Sequence, residues 1–566
     1  MAESERSTDF NYTKRQIFFG VVSIFAVYSC MSYSAQTLGV VRPKMAAELN
    51  GMPLYDLAVS IPGLFSAFAT LIFGKFSDMY GRRVMLMITM AVTLASTVMS
   101  ALAPSFVFLI VAGVIGGIGS GAMMTLTFAV VGDLFPMERR GKWIGLLNIP
   151  VGVFSLVGPT LGGWVVDNPA LGLNFLPSLG WRYLYWVSLP LMILSLLTIP
   201  AGVPSIKGGR RGKIDVLGSL LVFIASSATI TGFSLAGSHP WVSLQVLGLL
   251  AVALAFWVLF IKAESRAEEP VLDPRLFRNR SFLTVSLATF LSGFGQMGML
   301  MYFLMFLQGV QQSHDFGDFI SSISQRLFAA DIGATAVSGM IITPMSVLMA
   351  FISVPVGFIM GRSKHFKWIY VVSYTILTVT MAGIVLLDAG SSQWWSVLAA
   401  VMAGVGLGSI PPLNTLVVQK AVPQKLLGVS MGAFFFCLML GSMAIAPAVL
   451  GTAQKTAYEK ELTASLPAEL KTGDFLTTVG DSKVLLNQEA LEALEADFAA
   501  KGDAALFPKT VQAIRDAMAA GVRSVFMVCA VTMLIAFLLI CTLSEKPPTF
   551  DLGEPTEPSD AAGEGR

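Results

Sequence analysis

The sequence predicts an all-α integral membrane protein. Its fourteen transmembrane helices form two parallel-repeat six-helix bundles plus two extra central helices, with both termini cytoplasmic. Three observations predict this. Apolar runs of spanning length recur along the chain, Lys and Arg concentrate in every second loop, and glycine patterns return at a nearly fixed offset. Of 566 residues, 55% are hydrophobic and 13% charged, against roughly 25% charged in soluble chains. Too few polar groups remain to cover a water-facing surface, so lipid is the main solvent. The net charge of +2 gives no reason to expect a nucleic-acid partner.

A helix needs about 20 apolar residues to cross a bilayer. Runs of that order lie near 17–41, 57–76, 84–103, 107–131, 143–166, 183–203 and 214–236. Seven more lie near 242–262, 282–308, 334–360, 368–388, 395–418, 427–451 and 522–543. Barrel strands would instead be about 10 residues long with alternating polarity. The first run follows Lys14 and Arg15 and exceeds the roughly 7–15 apolar residues of a signal peptide, so it reads as an uncleaved span. The predicted units are a tail (1–16), a six-helix bundle (17–203), two additional helices with linkers (204–281), a second bundle (282–543) and a tail (544–566).

The loops test this count independently, because cytoplasmic loops carry an excess of Lys and Arg. Lys75/Arg82/Arg83, Arg139/Arg140/Lys142, Lys207/Arg210/Arg211/Lys213, Arg275/Arg278/Arg280 and Arg362/Lys364/Lys367 all fall on one side. The alternate loops are poor in such residues or balanced by acids. The long segment 452–521 is assigned to the exterior, where translocated segments of that size escape the charge rule. Within it Leu485, Leu486, Leu491, Leu494 and Phe498 recur at helical spacing among acids. An amphipathic cap on the rim is the plainer reading, and a partner-binding or funnel surface the sharper one.

The repeat is carried by glycine. Gly117, Gly119 and Gly121 return as Gly404, Gly406 and Gly408, 287 positions later. Pro136-x4-Gly141-x3-Gly145 returns as Pro423-x4-Gly428-x3-Gly432 at the same offset, and Gly158-Pro159 with Gly163 as Ala446-Pro447 with Gly451 at 288. These offsets map the fourth span onto the twelfth and the fifth onto the thirteenth with orientation preserved. Such a parallel repeat suits two bundles rocking about a midplane site.

The loop after the second span reads Gly74-Lys-Phe-Ser-Asp78-Met-Tyr-Gly81-Arg82-Arg83, and the fifth span contains Gly158-Pro159-Thr-Leu-Gly162-Gly163. With Trp181-Arg182-Tyr183 and Pro411-Pro412, these resemble the major facilitator superfamily and its fourteen-span drug:proton antiporter branch. Gly74 and Gly81 allow a tight turn. Asp78 can pair with its cationic neighbours or cap a helix N-terminus, where an anion gains about 0.3–1 kcal/mol. The resemblance implies a conformational latch made by Gly74, Asp78, Gly81, Arg82 and Arg83 with Asp133, the carboxylate bracing the outward-facing state. A plain anchoring charge is the competing reading. The second-half copy, Gly357-Phe-Ile-Met-Gly361-Arg362, has no Asp. Gly158, Gly162 and Gly163 let a neighbouring helix approach closely, and Pro159 interrupts a backbone bond. The resemblance implies a hinge for export by exchange, while tight packing alone is the alternative.

The pattern also departs from the branch. The branch's carboxylate in the first span falls on Ser34, its Asn on Gly39, and its fourth-span Arg on Gly113. No Asp, Glu, Lys, Arg or His lies deep in any predicted span, although such charges, at roughly 2.5–3.5 kcal/mol each, are normally retained for function. A site that neutralises a strongly charged ligand is therefore disfavoured. Only Asp78 and Asp133 at one end and Asp167 and Glu48 at the other remain to hold a coupled proton. The predicted cavity is polar-neutral and aromatic: Tyr33, Ser34, Gln36, Asn148, Gln296, Tyr302 and Asn414, with Met297, Met299 and Phe303 nearby.

The resemblance thus implies a secondary active transporter exporting apolar or amphipathic molecules by alternating access in exchange for protons. Its expected partners are a small-molecule substrate, protons and the lipid bilayer, and it is expected as a monomer in a bacterial inner membrane. A uniporter or uptake carrier for a neutral metabolite competes, as does a non-transporting receptor or scaffold. No P-loop, HExxH, nucleophile elbow or metal-ligand spacing occurs, and Cys30, Cys437, Cys529 and Cys541 sit in apolar stretches, so neither an enzyme nor a cofactor is expected.

Overall fold

The computed structural model describes residues 13–51, 54–167, 180–203, 215–236, 239–267, 270–311, 313–328, 334–362, 366–423, 426–467 and 506–543, with isolated positions between 470 and 498. Among them all regular structure is helical. Residues 1–12 of the predicted tail 1–16, the tail 544–566 and the linker 204–214 lie outside the described residues, and Lys14 to Gln16 of the first tail already belong to a helix.

Helix α1 (Lys14–Tyr33) starts in a capping box, in which the Thr13 side chain accepts from Gln16 N–H and the Gln16 side chain accepts from Thr13 N–H. Its rod runs through a π turn (Ser34–Leu38) into α2 (Gly39–Glu48). The first half continues through α3 (Tyr55–Tyr80), α4 (Arg82–Ala101), α5 (Phe106–Leu134), α6 (Met137–Leu146), α7 (Ile149–Asp167) and α8 (Arg182–Gly202). The extra pair is α9 (Val216–Ala236) and α10 (Leu244–Glu264). After α11 (Arg275–Arg278), α12 (Arg280–Met297) passes through a second π turn (Gly298–Phe303) into α13 (Leu304–Gly309). Then come α14 (Asp315–Phe328), α15 (Ala334–Arg362), α16 (Lys367–Val385), α17 (Gln393–Ala421) and α18 (Leu427–Met439). A third π turn (Leu440–Ile445) leads into α19 (Ala446–Ser465), and α20 (Phe507–Cys541) closes the second half. Thirteen rods among the described residues are long and apolar enough to cross a membrane. The 26-residue α3 stands outside that count.

Glycine placement makes the repeat physical. A methyl group on Gly404 would lie 2.7 Å from the Met345 carbonyl oxygen and one on Gly408 2.5 Å from that of Met349, so α17 rests on the α15 backbone. Gly117 and Gly121 rest in the same way on the carbonyls of Pro62 and Ser66, seating α5 on α3. Gly119 faces Thr89 and Thr93 of α4, and Gly406 faces Ser373 and Leu377 of α16. Each glycine of the triplet therefore meets the corresponding helix in both halves.

Three predicted boundaries change. The fifth span begins earlier, at Met137, and breaks at Leu147–Asn148 between α6 and α7. Helices α19 and α20 both run past their apolar segments. At 35 residues α20 is about 52 Å long, against roughly 30 Å of hydrocarbon. The projecting turns persist because they bury one another: Tyr458 and Leu462 of α19 and Ile514, Ala517 and Met518 of α20 are buried, and Gly521 lies against Gln454. Tyr458 Oη donates to the Val479 carbonyl at 2.7 Å, while Leu494 and Phe498 are buried in the same core. Of the predicted apolar stripe, Leu494 and Phe498 are therefore turned inward and Leu485 and Leu491 are half-buried, while Leu486 lies outside the described residues.

The extra hairpin sits beside both halves. Phe223 of α9 packs on Phe65 and Phe68 of α3 at 5.4 and 5.0 Å. On the other side Trp257 of α10 meets Phe436 of α18 at 6.0 Å, and Trp241 Nε1 donates to Thr452 Oγ1 of α19 at 2.7 Å.

Candidate functional site

The helix termini that carry Lys75, Arg82, Arg139, Lys142 and Lys367 form one end of the bundle, called the basic end below. There the halves touch through glycine. A methyl on Gly74 of α3 would lie 2.5 Å from the Gly428 carbonyl oxygen of α18, and one on Gly432 2.6 Å from that of Thr70. On the other side Gly141 of α6 meets Gly357 of α15, and a methyl on Gly145 would strike the Ser353 carbonyl. The two contacts are the same contact repeated. Gly428 and Gly432 stand 287 positions after Gly141 and Gly145, and Gly357 and Ser353 stand 283 after Gly74 and Thr70. Any side chain larger than hydrogen would hold the helices apart.

Asp78 closes the first contact. Its carboxylate accepts from the backbone N–H of Gly428 at 3.2 Å and of Val429 at 2.9 Å. Those N–H groups belong to the first turn of α18, where no intrahelical acceptor exists, and an anion there is favoured by the aligned peptide dipoles. Arg82 organises the carboxylates: it pairs with Asp78 at 2.5 Å, donates from Nε to Asp133 at 2.9 Å and donates to Ser77. Arg82 and Asp133 are buried, and Arg83 is half-buried beside them. Gly81 has φ +94°, a conformation open to glycine alone at little cost, and it turns the chain so that α3 and α4 both reach the cluster.

The one-sidedness of this carboxylate has a local cause. Helix α6 starts at Met137 and its Pro136 carbonyl receives the N–H groups of Arg139 and Arg140 at 2.9 and 3.2 Å, so Gly141 lies a turn inside the helix with its own N–H committed. No orphan donor awaits a carboxylate there, and the position equivalent to Asp78 is Gly361. Instead Lys142 Nζ lies 5.2 Å from the Phe358 ring centroid across the junction, a cation–π contact. Gln419 of α17 adds a third crossing, donating from Nε2 to the Phe128 carbonyl of α5 at 3.1 Å. Phe128 and Phe435 also meet at 5.1 Å.

The predicted cavity residues divide into two groups. Ser34 and Gln36 belong to the first π turn, which Tyr33 immediately precedes, and Gln296 and Tyr302 flank or belong to the second. Tyr33 Oη donates to the Leu184 carbonyl at 2.7 Å, with its ring edge-on to Phe154. Ser34, Gln36 and Gln296 are half-buried, while Tyr302 is buried. Gly158 packs on this turn, since a methyl there would lie 2.7 Å from Thr37 Oγ1 and 3.3 Å from Gln36 Cβ. The close neighbour of the glycine motif is therefore the first span at its π turn. The surroundings of Pro159, Gly162, Gly163 and Asp167 lie outside the described residues. The two asparagines bond within their own halves: Asn148 Nδ2 donates to the Ile144 carbonyl at 3.1 Å, and Asn414 Nδ2 to Thr289 Oγ1 at 2.6 Å. Met299 and Phe303 are fully buried in the second-half core, and Glu48 accepts from Trp181 Nε1 at 2.7 Å. No group of three metal-ligating side chains occurs among the described residues.

The family model described as Major Facilitator Superfamily matches residues 24–446. The chain belongs to the major facilitator superfamily. It is thus a multi-pass membrane transporter of small molecules and not an enzyme. Among curated proteins it is 28% identical over 420 residues to "Multidrug transporter protein MdtP" of Bacillus subtilis (strain 168), covering 72% of this chain and 71% of that one. It is 25% identical over 420 residues to "Multidrug resistance protein 3" of the same organism, covering 74% and 72%. The crystal structure of the human organic anion transporter MFSD10 (TETRAN) is similar in fold, with TM-score 0.53 at 16% identity over 93% of this chain and 99% of that one.

Within this superfamily member, sequence reasoning missed Lys142–Phe358, Gln419–Phe128 and the three π turns. Gln419 carried a signal, as a polar side chain closing an apolar run. The π turns carried none, because adding a residue to a helical turn leaves composition unchanged.

Proposed function

We propose that this chain exports apolar or amphipathic small molecules by alternating access of its two halves, in exchange for protons. Its fourteen spans include α3, its basic end and both termini face the cytoplasm, and the opposite end faces the exterior of a bacterial inner membrane, where it works as a monomer. The carrying observation is the sealed basic end. Paired glycines leave no space between the halves there, and the Asp78 carboxylate bridges onto α18, an arrangement suited to the outward-facing state of a rocking pair. The multidrug names of its Bacillus subtilis relatives at 28% and 25% identity support the cargo class. So do the half-buried, uncharged polar side chains of Ser34, Gln36 and Gln296 at the two π turns.

Flux of a fluorescent amphipathic cation and of a neutral apolar dye in proteoliposomes, with and without an imposed pH gradient, tests this. The expected result is gradient-driven accumulation of at least one dye, abolished when the gradient is collapsed. Absence of flux for every amphipathic compound contradicts export, and indifference to the gradient contradicts proton exchange. That second outcome selects carrier-type transport of a neutral solute, which one observation favours: Ser34, Gly39 and Gly113 occupy the positions where the drug:proton branch carries its carboxylate, Asn and Arg.

A further inference from the structure

Two seams run between the halves, α3 against α18 and α6–α7 against α15, and the repeat makes them equivalent. Their surroundings differ. From residue 61 to 79 of α3, and throughout α18, no residue is exposed. The α9–α10 hairpin covers this seam, with Phe223 on Phe65 and Phe68, Trp257 on Phe436 and Trp241 bonded to Thr452. Among the described residues of the other seam, Val153, Leu156 and Val157 of α7 and Met340, Phe351 and Ile359 of α15 are exposed.

Helical spacing shows what that bare face meets. Gly141, Gly145 and Gly152 share the face of the fifth span that touches α15, while Gly158 and Phe154 face the first span. Of the two faces left between these, one carries Asn148 and Ser155 and the other Val153, Leu156 and Val157. At 100° per residue these lie on opposite sides of the rod, so the polar pair looks to the interior and the apolar trio to the acyl chains. Close approach to α15 ends at Gly152, where a methyl would strike Ala350 Cβ. Farther toward the exterior, Gly158 turns to Thr37, and a methyl on Gly339 of α15 would meet nothing within 4 Å.

We propose that amphipathic cargo leaves the cavity sideways, through the α7–α15 seam into the outer leaflet, and that the extra hairpin confines exchange with lipid to this one seam. This rests on the export reading above. The passage suits single-chain amphipaths: the polar head keeps to the Ser155 side of the rod while the chain slides past Val153, Leu156 and Val157.

The test uses the full chain in proteoliposomes and two cationic dyes that share a head group, one with a long alkyl chain and one with a methyl group. Leu156→Trp narrows the seam, and Leu247→Trp places the same bulk on the lipid face of α10. Leu156→Trp is expected to slow the long-chain dye about fivefold, the lower end of an overpacking cost, and to leave the methyl dye within about twofold, as Leu247→Trp leaves both. Equal loss of both dyes, or of neither, overturns sideways release. No flux of either dye by the unaltered protein would instead defeat the export reading itself. A second measurement covers a Leu156→Trp chain that does not fold. With the four cysteines replaced by serine, nitroxides at Leu156→Cys and Phe68→Cys are compared for collision with oxygen. High accessibility at 156 and low at 68 is expected, and equal accessibility overturns the seal.

Discussion

Changing Asp78 to Asn removes one negative charge from a side chain that accepts two bonds from the other half. The Arg82 pairs with Asp78 and Asp133 lie within the first half, and a rigid-body rocking of the halves would leave them intact, so they cancel from the balance between states. What differs is the pair of N–H donors of Gly428 and Val429, at 3.2 and 2.9 Å from the carboxylate. A hydrogen bond to a charged group contributes about 1.5–3 kcal/mol, and Asn keeps one acceptor oxygen for one of the two donors. The closed basic end should therefore lose about 1.5–3 kcal/mol, a shift of roughly ten- to a hundredfold toward opening. Val84 of α4 and Trp368 of α16 are exposed at that end and stand 284 positions apart, the offset linking these two helices. Spin labels there report the distance between the halves by pulsed electron resonance. The Asp78→Asn protein should gain a long-distance population that the parent lacks. An unchanged distribution, or one shifted toward the short distance, refutes the reasoning.

Three other outcomes follow from the same geometry. Gly432→Ala places a methyl 2.6 Å from the Thr70 carbonyl, a backbone atom that cannot move aside. It should cost the closed basic end about 1–3 kcal/mol and cut transport, whereas Gly383→Ala, with nothing within 4 Å, should leave both the label distance and flux unchanged. Asn414→Ala removes the buried partner of Thr289 and should destabilise the second half by about 1–3 kcal/mol, read as a lower melting temperature in detergent with an unaltered order of substrate preference. Asp315 carries the pH prediction. Desolvation pushes its carboxyl up, but hydrogen bonds from Ser392, Gln393 N–H, Ser313 and Phe316 N–H together outweigh it and hold it below the ordinary carboxylate range. Because the folded value is the lower one, this cap on α17 is present above the unfolded value of about 4 and lost as pH falls through the folded value. Melting curves between neutral and acid pH should show Asp315→Asn insensitive to a step that the parent displays.

The architecture was legible because lipid imposes it. Without water to satisfy backbone groups, each apolar run must become a helix, and Gly117, Gly119 and Gly121 announced their counterparts by spacing alone. Asp78 was legible as a short polar loop flanked by Arg82 and Arg83, but its partner was not. Two backbone N–H groups of α18 carry no sequence signature, and the one-sidedness of the carboxylate depends on α6 starting earlier on its own rod than α18 does. The bonding partners of the proposed cavity residues were not legible. Asn414 looked like a lining group because polar residues in spans are scarce, yet it is bonded to Thr289 inside one half. The lengths of α19 and α20 escaped notice because their projecting turns bury only intermittent residues such as Tyr458, Leu462 and Ile514 among charged neighbours.

The central claim is that the two halves open one end by closing the other. Leu102 and Leu386 are exposed at the far ends of α4 and α16, again 284 positions apart, and with Val84 and Trp368 they give one label pair for each end. Measured in lipid nanodiscs while substrate and pH are varied, the two distances should move in opposite senses, the far pair shortening whenever the basic pair lengthens. Distances that stay fixed in both pairs, or change in the same sense, while proteoliposomes of the same preparation sustain flux would contradict the account.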